Sequence, residues 1–170
     1  MSKVTFIDNH IELDKVGRTK KLTATRFATV LGLNDWSNPF EAWCEITKTY
    51  EKPFEETKYT KAGKVIEPKV FAYLRKIYFM EIETPEDIYG QDYFSKTWGD
   101  FFKADKVFGG MWDALCTEDE TIIEIKTTKR VEDWKDDIPL YYKLQAALYA
   151  YLKGWDKIMM PCVFLQEGDY

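Results

Sequence analysis

Asp113, Glu124 and Lys126 are the residues of this chain whose types and spacing could do chemistry. The stretches VFGGMWDALC (107–116) and TIIEIKTT (121–128) are rich in β-branched and aromatic residues, with TEDE as a polar turn between them, a pattern that predicts a hairpin. Asp113 and Glu124 then lie on adjacent strands. Strand side chains alternate, so Glu124 and Lys126 share one face while Ile125 points to the other. Two carboxylates and an amine converge on one spot, a donor set suited to a hard divalent cation with an ammonium beside it. A solvated strand face is the competing explanation. Against it, Glu124 is embedded among Ile122, Ile123 and Ile125, a run that predicts a strand covered on both faces, where an unpaired carboxylate is costly.

These residues need a scaffold, and the patterning supplies one. LTATRFATVLGL predicts a short helix capped by Thr23 or Thr25, with Phe27, Val30 and Leu31 on its buried side and Gly32 at its end. A turn at 34–39 leads into a second helix, PFEAWCEITKTY, with Phe40, Trp43, Cys44 and Thr47 on one face. TKTYEKPFEETK reads as a polar loop. A longer helix is predicted from about Tyr59 to Tyr78, carrying Val70, Phe71, Leu74, Ile77 and Tyr78, with Pro68 marking its first turn or a kink. Residues 86–106 read as strand and turn. A linker, DWKDDIPLYY, precedes the helix YYKLQAALYAYLK, with Leu144, Ala147, Leu148 and Tyr151 as its buried stripe and Gly154 as its stop. KIMMPCVFL (157–165) is a last apolar strand. The order implies an α/β sandwich, a mixed sheet covered by helices.

Composition narrows the chemistry. The 170 residues, 45% apolar and 31% charged, fit one globular domain spanning 1–170. Neither a membrane span nor a signal peptide is visible, which predicts a cytoplasmic protein. Cys44, Cys116 and Cys162 are widely separated, so no disulfide framework and no zinc or iron–sulfur cluster is signalled. His10 is the single histidine and falls in a segment that reads as irregular. Histidine-based hydrolysis is thereby excluded, leaving carboxylates, lysines and hydroxyls. The net charge of −5 disfavours nucleic acid only globally. Locally, Lys15, Arg18, Lys20, Lys21 and Arg26 form one basic stretch, Lys58, Lys61, Lys64 and Lys69 a second, and Lys126, Lys129 and Arg130 a third. Trp36, Trp43, Trp112, Trp134 and Trp155 read as packing residues rather than base-stacking platforms.

Four separated signals then occur in order: the threonine-rich box LTATRFATVLGL, Glu67 in GKVIEP, Asp113 with EIK at 124–126, and Gln145 in YYKLQAALY. In these the chain resembles the PD-(D/E)XK nucleases, more narrowly the phage lambda exonuclease and YqaJ-type viral recombinase group, over roughly residues 16–165. Two departures stand out. Met111-Trp112 precedes the acid in place of the family's proline, and Ala114 follows it in place of glycine.

The resemblance implies a restriction-endonuclease-like core with a central mixed β-sheet flanked by helices. It also implies a Mg²⁺- or Mn²⁺-dependent exonuclease acting 5′ to 3′ on double-stranded DNA ends in phage-type recombination. Glu67, Asp113, Glu124 and the Ile125 carbonyl are the implied metal ligands. Lys126 is implied to orient and help deprotonate the attacking water, and Gln145 to bond near it. Arg18 and Thr25 fall where such enzymes bind the terminal 5′-phosphate, with Arg26 a rival. A toroidal trimer and a single-strand annealing partner come by resemblance alone. An endonuclease of the same fold, or an inactive DNA- or partner-binding protein, are the alternatives.

Overall fold

The protein is described here from a computed structural model covering residues 4–13, 18–166 and 168. Lys15 of the first basic stretch lies outside the described residues.

The hairpin at the centre of the sequence reading is present but shorter than expected. Strands β5 (Ala114–Cys116) and β6 (Thr121–Ile123) pair antiparallel, with Ala114 opposite Ile123 and Cys116 opposite Thr121. Strand β8 (Lys157–Met159) joins β6 in parallel, making a three-stranded mixed sheet. Beyond it, β7 (Lys126–Thr128) pairs in parallel with β9 (Cys162–Phe164). The expected strands 121–128 and 157–165 are therefore each broken, the first at Glu124–Ile125 and the second at Met160–Pro161. Pro161 has no N–H to give a ladder, but its carbonyl still accepts from Lys126 N–H at 2.9 Å, and Glu124 N–H reaches Met159 O at 3.0 Å. Residues 107–113 do not extend the hairpin. Instead β4 (Phe108–Gly109) pairs in parallel with β3 (Leu22–Thr23).

Period-two alternation on β5 and β6 divides the apolar residues between two cores. Leu115 and Ile122 pack with Ala24, Trp112, Leu148 and Tyr149. Ala114, Cys116 and Ile123 pack with Val70, Phe71, Leu74 and Ile82. Helices α1 (Ala24–Val30) and α6 (Leu140–Lys153) cover the first face, and α3 (Lys58–Ile77) the second. Ile122 and Ile123 are wholly excluded from solvent, each contributing about 1.5–3 kcal/mol of burial. The architecture is mixed α/β, with several small sheets among helices. Among the described residues no helix is long and apolar enough to cross a membrane.

Several local expectations are corrected. The N-terminal segment is not irregular: β1 (Val4–Ile7) and β2 (His10–Leu13) form a hairpin around Asp8-Asn9, a pair suited to a two-residue turn. Residues 86–106 hold no strand apart from the turns. They carry the short helices α4 (Pro85–Tyr89), with a Thr84–Asp87 capping box, and α5 (Tyr93–Thr97). Pro68 lies well inside α3, which starts ten residues earlier with Thr57 as its cap. In α1 the buried side is Ala24, Ala28 and Thr29, and Val30 and Leu31 are exposed, because the helix approaches α6 through small residues. In α2 (Pro39–Thr47), begun by an Asn38–Glu41 capping box, the buried residues are Ala42 and Cys44, and Phe40 stacks on Trp43 while staying half exposed. On α6 the buried stripe is Gln145, Leu148 and Tyr149, with Tyr151 exposed: the helix is rotated to bring a polar residue inward. A 3-10 turn (Val131–Trp134) fills part of the expected linker.

Candidate active site

The breaks in β6–β7 and β8–β9 occur at one level of the molecule, and the charged residues gather there. Asp113 directly precedes β5, and one register step beyond the Ala114–Ile123 pair it stands opposite Glu124. Its Oδ2 accepts from Ile125 N–H at 2.6 Å. The backbone group freed by the strand break is thus satisfied by the acid across from it.

Glu124 is 5% exposed. Its Oε1 accepts from Lys126 Nζ and from Gln145 Nε2, each at 2.8 Å. Gln145 closes the triangle, since its Oε1 accepts from Lys126 Nζ at 3.0 Å. The ammonium also lies 4.7 Å from the centroid of the Tyr142 ring. Glu124 Oε2, by contrast, is buried with no hydrogen-bond partner. Such an atom is expensive unless something positive or protic reaches it.

Glu67 on α3 is the third acid of the group. Its carboxyl is pushed up to about 7, first by burial and then by the charge of Asp113. Burial, followed by Asp113, raises Glu124 to about 7 as well, against the opposing pull of Lys126. Asp113 is raised by burial, with the Ile125 N–H and Lys126 working against the shift. Burial thus raises all three acids together, with repulsion from Asp113 adding to it at both glutamates, the pattern of carboxylates crowded into one poorly solvated place. Their oxygens, with the orphaned Glu124 Oε2 among them, fit the donor set of Mg²⁺ or Mn²⁺. Among the described residues no group of three His, Cys, Asp or Glu side chains already stands in ion-enclosing geometry.

Helix α6 ties this constellation to a second region. Tyr149, one turn beyond Gln145, donates its hydroxyl to the carbonyl of Met111 and bonds with Thr25. Burial raises the Tyr149 phenol and keeps it a donor. Gly110, at φ +144°, lets the ring in: a Cβ there would stand 3.1 Å from Tyr149 Cε1. On the far side of Gly110 opens a cleft of about 1080 Å³ lined by Arg18, Lys20, Lys21, Arg26, Lys48 and Lys103, with Glu45 and Asp100 as its acids.

The structure thus brings Asp113, Glu124, Ile125, Lys126 and Gln145 together, with Glu67 near Asp113, and sets Arg18, Thr25 and Arg26 along one cleft. Arg26 is held by Glu45 and Thr23, whereas Arg18 makes no ion pair among the described residues. Sequence reasoning missed Tyr142 and Tyr149, although 142, 145 and 149 share one face of a helix. It also missed Asp100, which fixes the cleft wall by accepting from Lys21 Nζ at 2.6 Å and from the Phe102 N–H at 3.0 Å and the Gly110 N–H at 3.3 Å. No local motif announces that residue.

The model of the YqaJ-like viral recombinase domain matches residues 15–156. An uncharacterized protein of Mycoplasma genitalium is 30% identical over 195 residues, covering 89% of this chain and 66% of that protein. Its homologue in Mycoplasma pneumoniae is 27% identical over 214 residues, covering 99% of this chain and 73% of that protein. The chain therefore spans just under two thirds of the first relative's length.

Proposed function

The chain belongs to the YqaJ-like viral recombinase domain family, and on that premise we propose that it is a divalent-metal-dependent deoxyribonuclease. In this reading residues 1–170 form one nuclease domain with a PD-(D/E)XK-type core, digesting double-stranded DNA 5′ to 3′ from its ends during phage-type recombination. The observation that carries it is the buried Glu124, clamped on one oxygen by Lys126 and Gln145 and left open on the other, opposite Asp113.

Glu67, Asp113, Glu124 and the Ile125 carbonyl would hold Mg²⁺ or Mn²⁺. When bound, the ion lowers the pKa of a water molecule and offsets charge on the scissile phosphate. The remaining work falls to the chain itself. Lys126, fixed between Glu124 and Gln145, sets a positive charge where hydroxide develops. Gln145 holds that lysine in place, since its amide satisfies both the lysine and the glutamate. The cations of the cleft bind the phosphate backbone, so affinity falls steeply with salt. Arg18 and Thr25, on the wall of that cleft, take the terminal 5′-phosphate through a charge-assisted contact.

Incubation of the protein with a 5′-phosphorylated linear duplex and with a closed circle, in Mg²⁺ and in EDTA, tests this. The proposal requires digestion of the linear duplex in Mg²⁺ only, with the circle intact. A cut circle would establish an endonuclease, and binding without cleavage in any divalent metal an inactive DNA-binding protein.

A further inference from the structure

Five of the six tryptophans read as packing residues in the sequence, and Trp98 is the sixth. In the structure Trp98 is 85% exposed, and with the 60% exposed Phe94 it lines the same cleft as Arg18, Lys48 and Lys103. Burial does not account for this placement, and neither does local backbone preference. Trp98 ends α5 in the left-handed conformation, φ +54° and ψ 37°, where a bulky side chain is strained by about 1–2 kcal/mol. Folding would be eased by glycine or asparagine at this position.

The surroundings hold the strained residue firmly. Thr97, which is buried, donates its hydroxyl to the Tyr93 carbonyl at 2.7 Å, and its own carbonyl accepts from the Lys103 ammonium. Behind Trp98 comes Gly99, also left-handed at φ +68°, where a Cβ would come within 3.2 Å of the Phe94 ring. Phe94 is therefore packed under the backbone that presents Trp98. Two aromatic faces are kept out of the core, on a braced turn, at the wall of a cleft whose cations outnumber its acids. Lys103 is bound there by a carbonyl rather than a carboxylate, and the lining carries more cations than acids even with Lys20, Lys21 and Arg26 paired to Glu51, Asp100 and Glu45.

We propose that Trp98 and Phe94 form a stacking subsite for an unpaired nucleobase at a DNA end, set beside the cations that grip the phosphate backbone. The chemistry of the neighbours selects this occupant. An apolar peptide would gain from the aromatic faces but not from the excess of cations over acids around them. A nucleotide strand uses both, because every base has a π-face and every link a negative charge. The subsite gives the cleft a preference for frayed or tailed ends over continuous duplex. The inference rests on the DNA-binding reading above.

The test uses the full chain in EDTA, so that nothing is cleaved, with duplexes carrying 2-aminopurine either in a single-stranded tail or at the duplex centre. Wild-type protein should quench the tail probe and not the central one. Trp98→Ala should lose the quenching and bind the tailed duplex about 5- to 100-fold more weakly, with affinity for a closed circle unchanged. Trp98→Phe should restore most of both. Trp98→Asn tolerates the left-handed backbone and repeats the test without added strain. Tail binding and quenching by Trp98→Asn equal to wild type would overturn the stacking subsite while leaving DNA binding intact. Unchanged DNA binding together with loss of self-association in sedimentation would overturn it in favour of a protein contact. Absence of salt-dependent DNA binding by the wild type itself would overturn the functional reading, and this inference with it.

Discussion

The acid–lysine constellation and the cationic cleft meet at α6 and are built in opposite ways. In the constellation a few charges are buried and locked: the Lys126 and Glu124 side chains are 13% and 6% exposed and share Gln145. In the cleft many charges are spread over a solvated wall, and several are tied to surface acids, Lys20 to Glu51 and Arg26 to Glu45. Buried charges act at short range in a medium that screens them little, so each atom there matters to the chemistry. Exposed charges act together and are screened by salt, so each contributes a modest share of affinity. On the proposed reading the first region cleaves the bond and the second holds the polyanion.

The largest effects should come from the acids. Asp113→Ala or Glu124→Gln should reduce cleavage by about 10³-fold or more, while DNA binding in a gel-shift assay stays equal or tightens because negative charge leaves the site. Weakened binding in step with lost cleavage would erase the division between the regions. Lys126→Arg comes next. It keeps the charge but spreads it over a rigid fork, and the single-turnover rate should fall by about 10²- to 10⁴-fold with little change in melting temperature. Lys126→Met should also destabilise the fold by about 3–5 kcal/mol, since Glu124 loses its buried counter-charge. Near-native rates in either variant would mean that Lys126 is structural.

The metal-free protein should show the strain of its acids as pH dependence. Glu67 and Glu124 have folded-state values near 7 against an ordinary 4.5. Between those values the folded state binds more protons than the unfolded state, so stability falls as pH rises from about 4.5 through about 7, then levels off. Thermal unfolding in EDTA across that range checks the sign, and Mg²⁺ at pH 8 should recover the lost stability. Glu67→Gln should flatten part of the slope.

The smallest effects belong to the cleft. Arg18→Ala and Lys48→Ala should each weaken duplex binding by a few-fold and reduce the salt slope by about 1. Arg18→Ala should in addition abolish any preference for 5′-phosphate over 5′-hydroxyl ends. A preference that survives there and disappears in Arg26→Ala would transfer the phosphate contact to Arg26 and require the Glu45 pair to open.

The same contrast explains what could be read from the sequence. Asp113, Glu124 and Lys126 were legible because they sit on and beside short strands whose alternation fixes side-chain direction locally, and the isoleucines around Glu124 foretold its burial. The breaks at Glu124–Ile125 and Met160–Pro161 were not, because they depend on which strand pairs with which, although Pro161 was a clue. Helix α6 was found, but its rotation was missed: Gln145 replaced Tyr151 on the inner face, since the demand to satisfy Glu124 and Lys126 is tertiary. The cleft was legible only as a basic stretch. Lys48, Asp100 and Lys103 reach it from distant parts of the chain. Trp98 escaped notice for the complementary reason, because an exposed aromatic on a left-handed turn violates the patterning that sequence reading relies on.

The central claim is that Glu67, Asp113 and Glu124 form a divalent-metal site that cleavage requires. Titration of Mn²⁺ into metal-free protein, followed by the loss of the free-ion electron paramagnetic resonance signal, tests it most directly when run beside Asp113→Ala and Glu124→Gln. The wild type should bind Mn²⁺, and both variants should lose most of that binding while remaining folded. Equal Mn²⁺ uptake by all three proteins, or DNA digestion by the wild type in EDTA, would contradict the account.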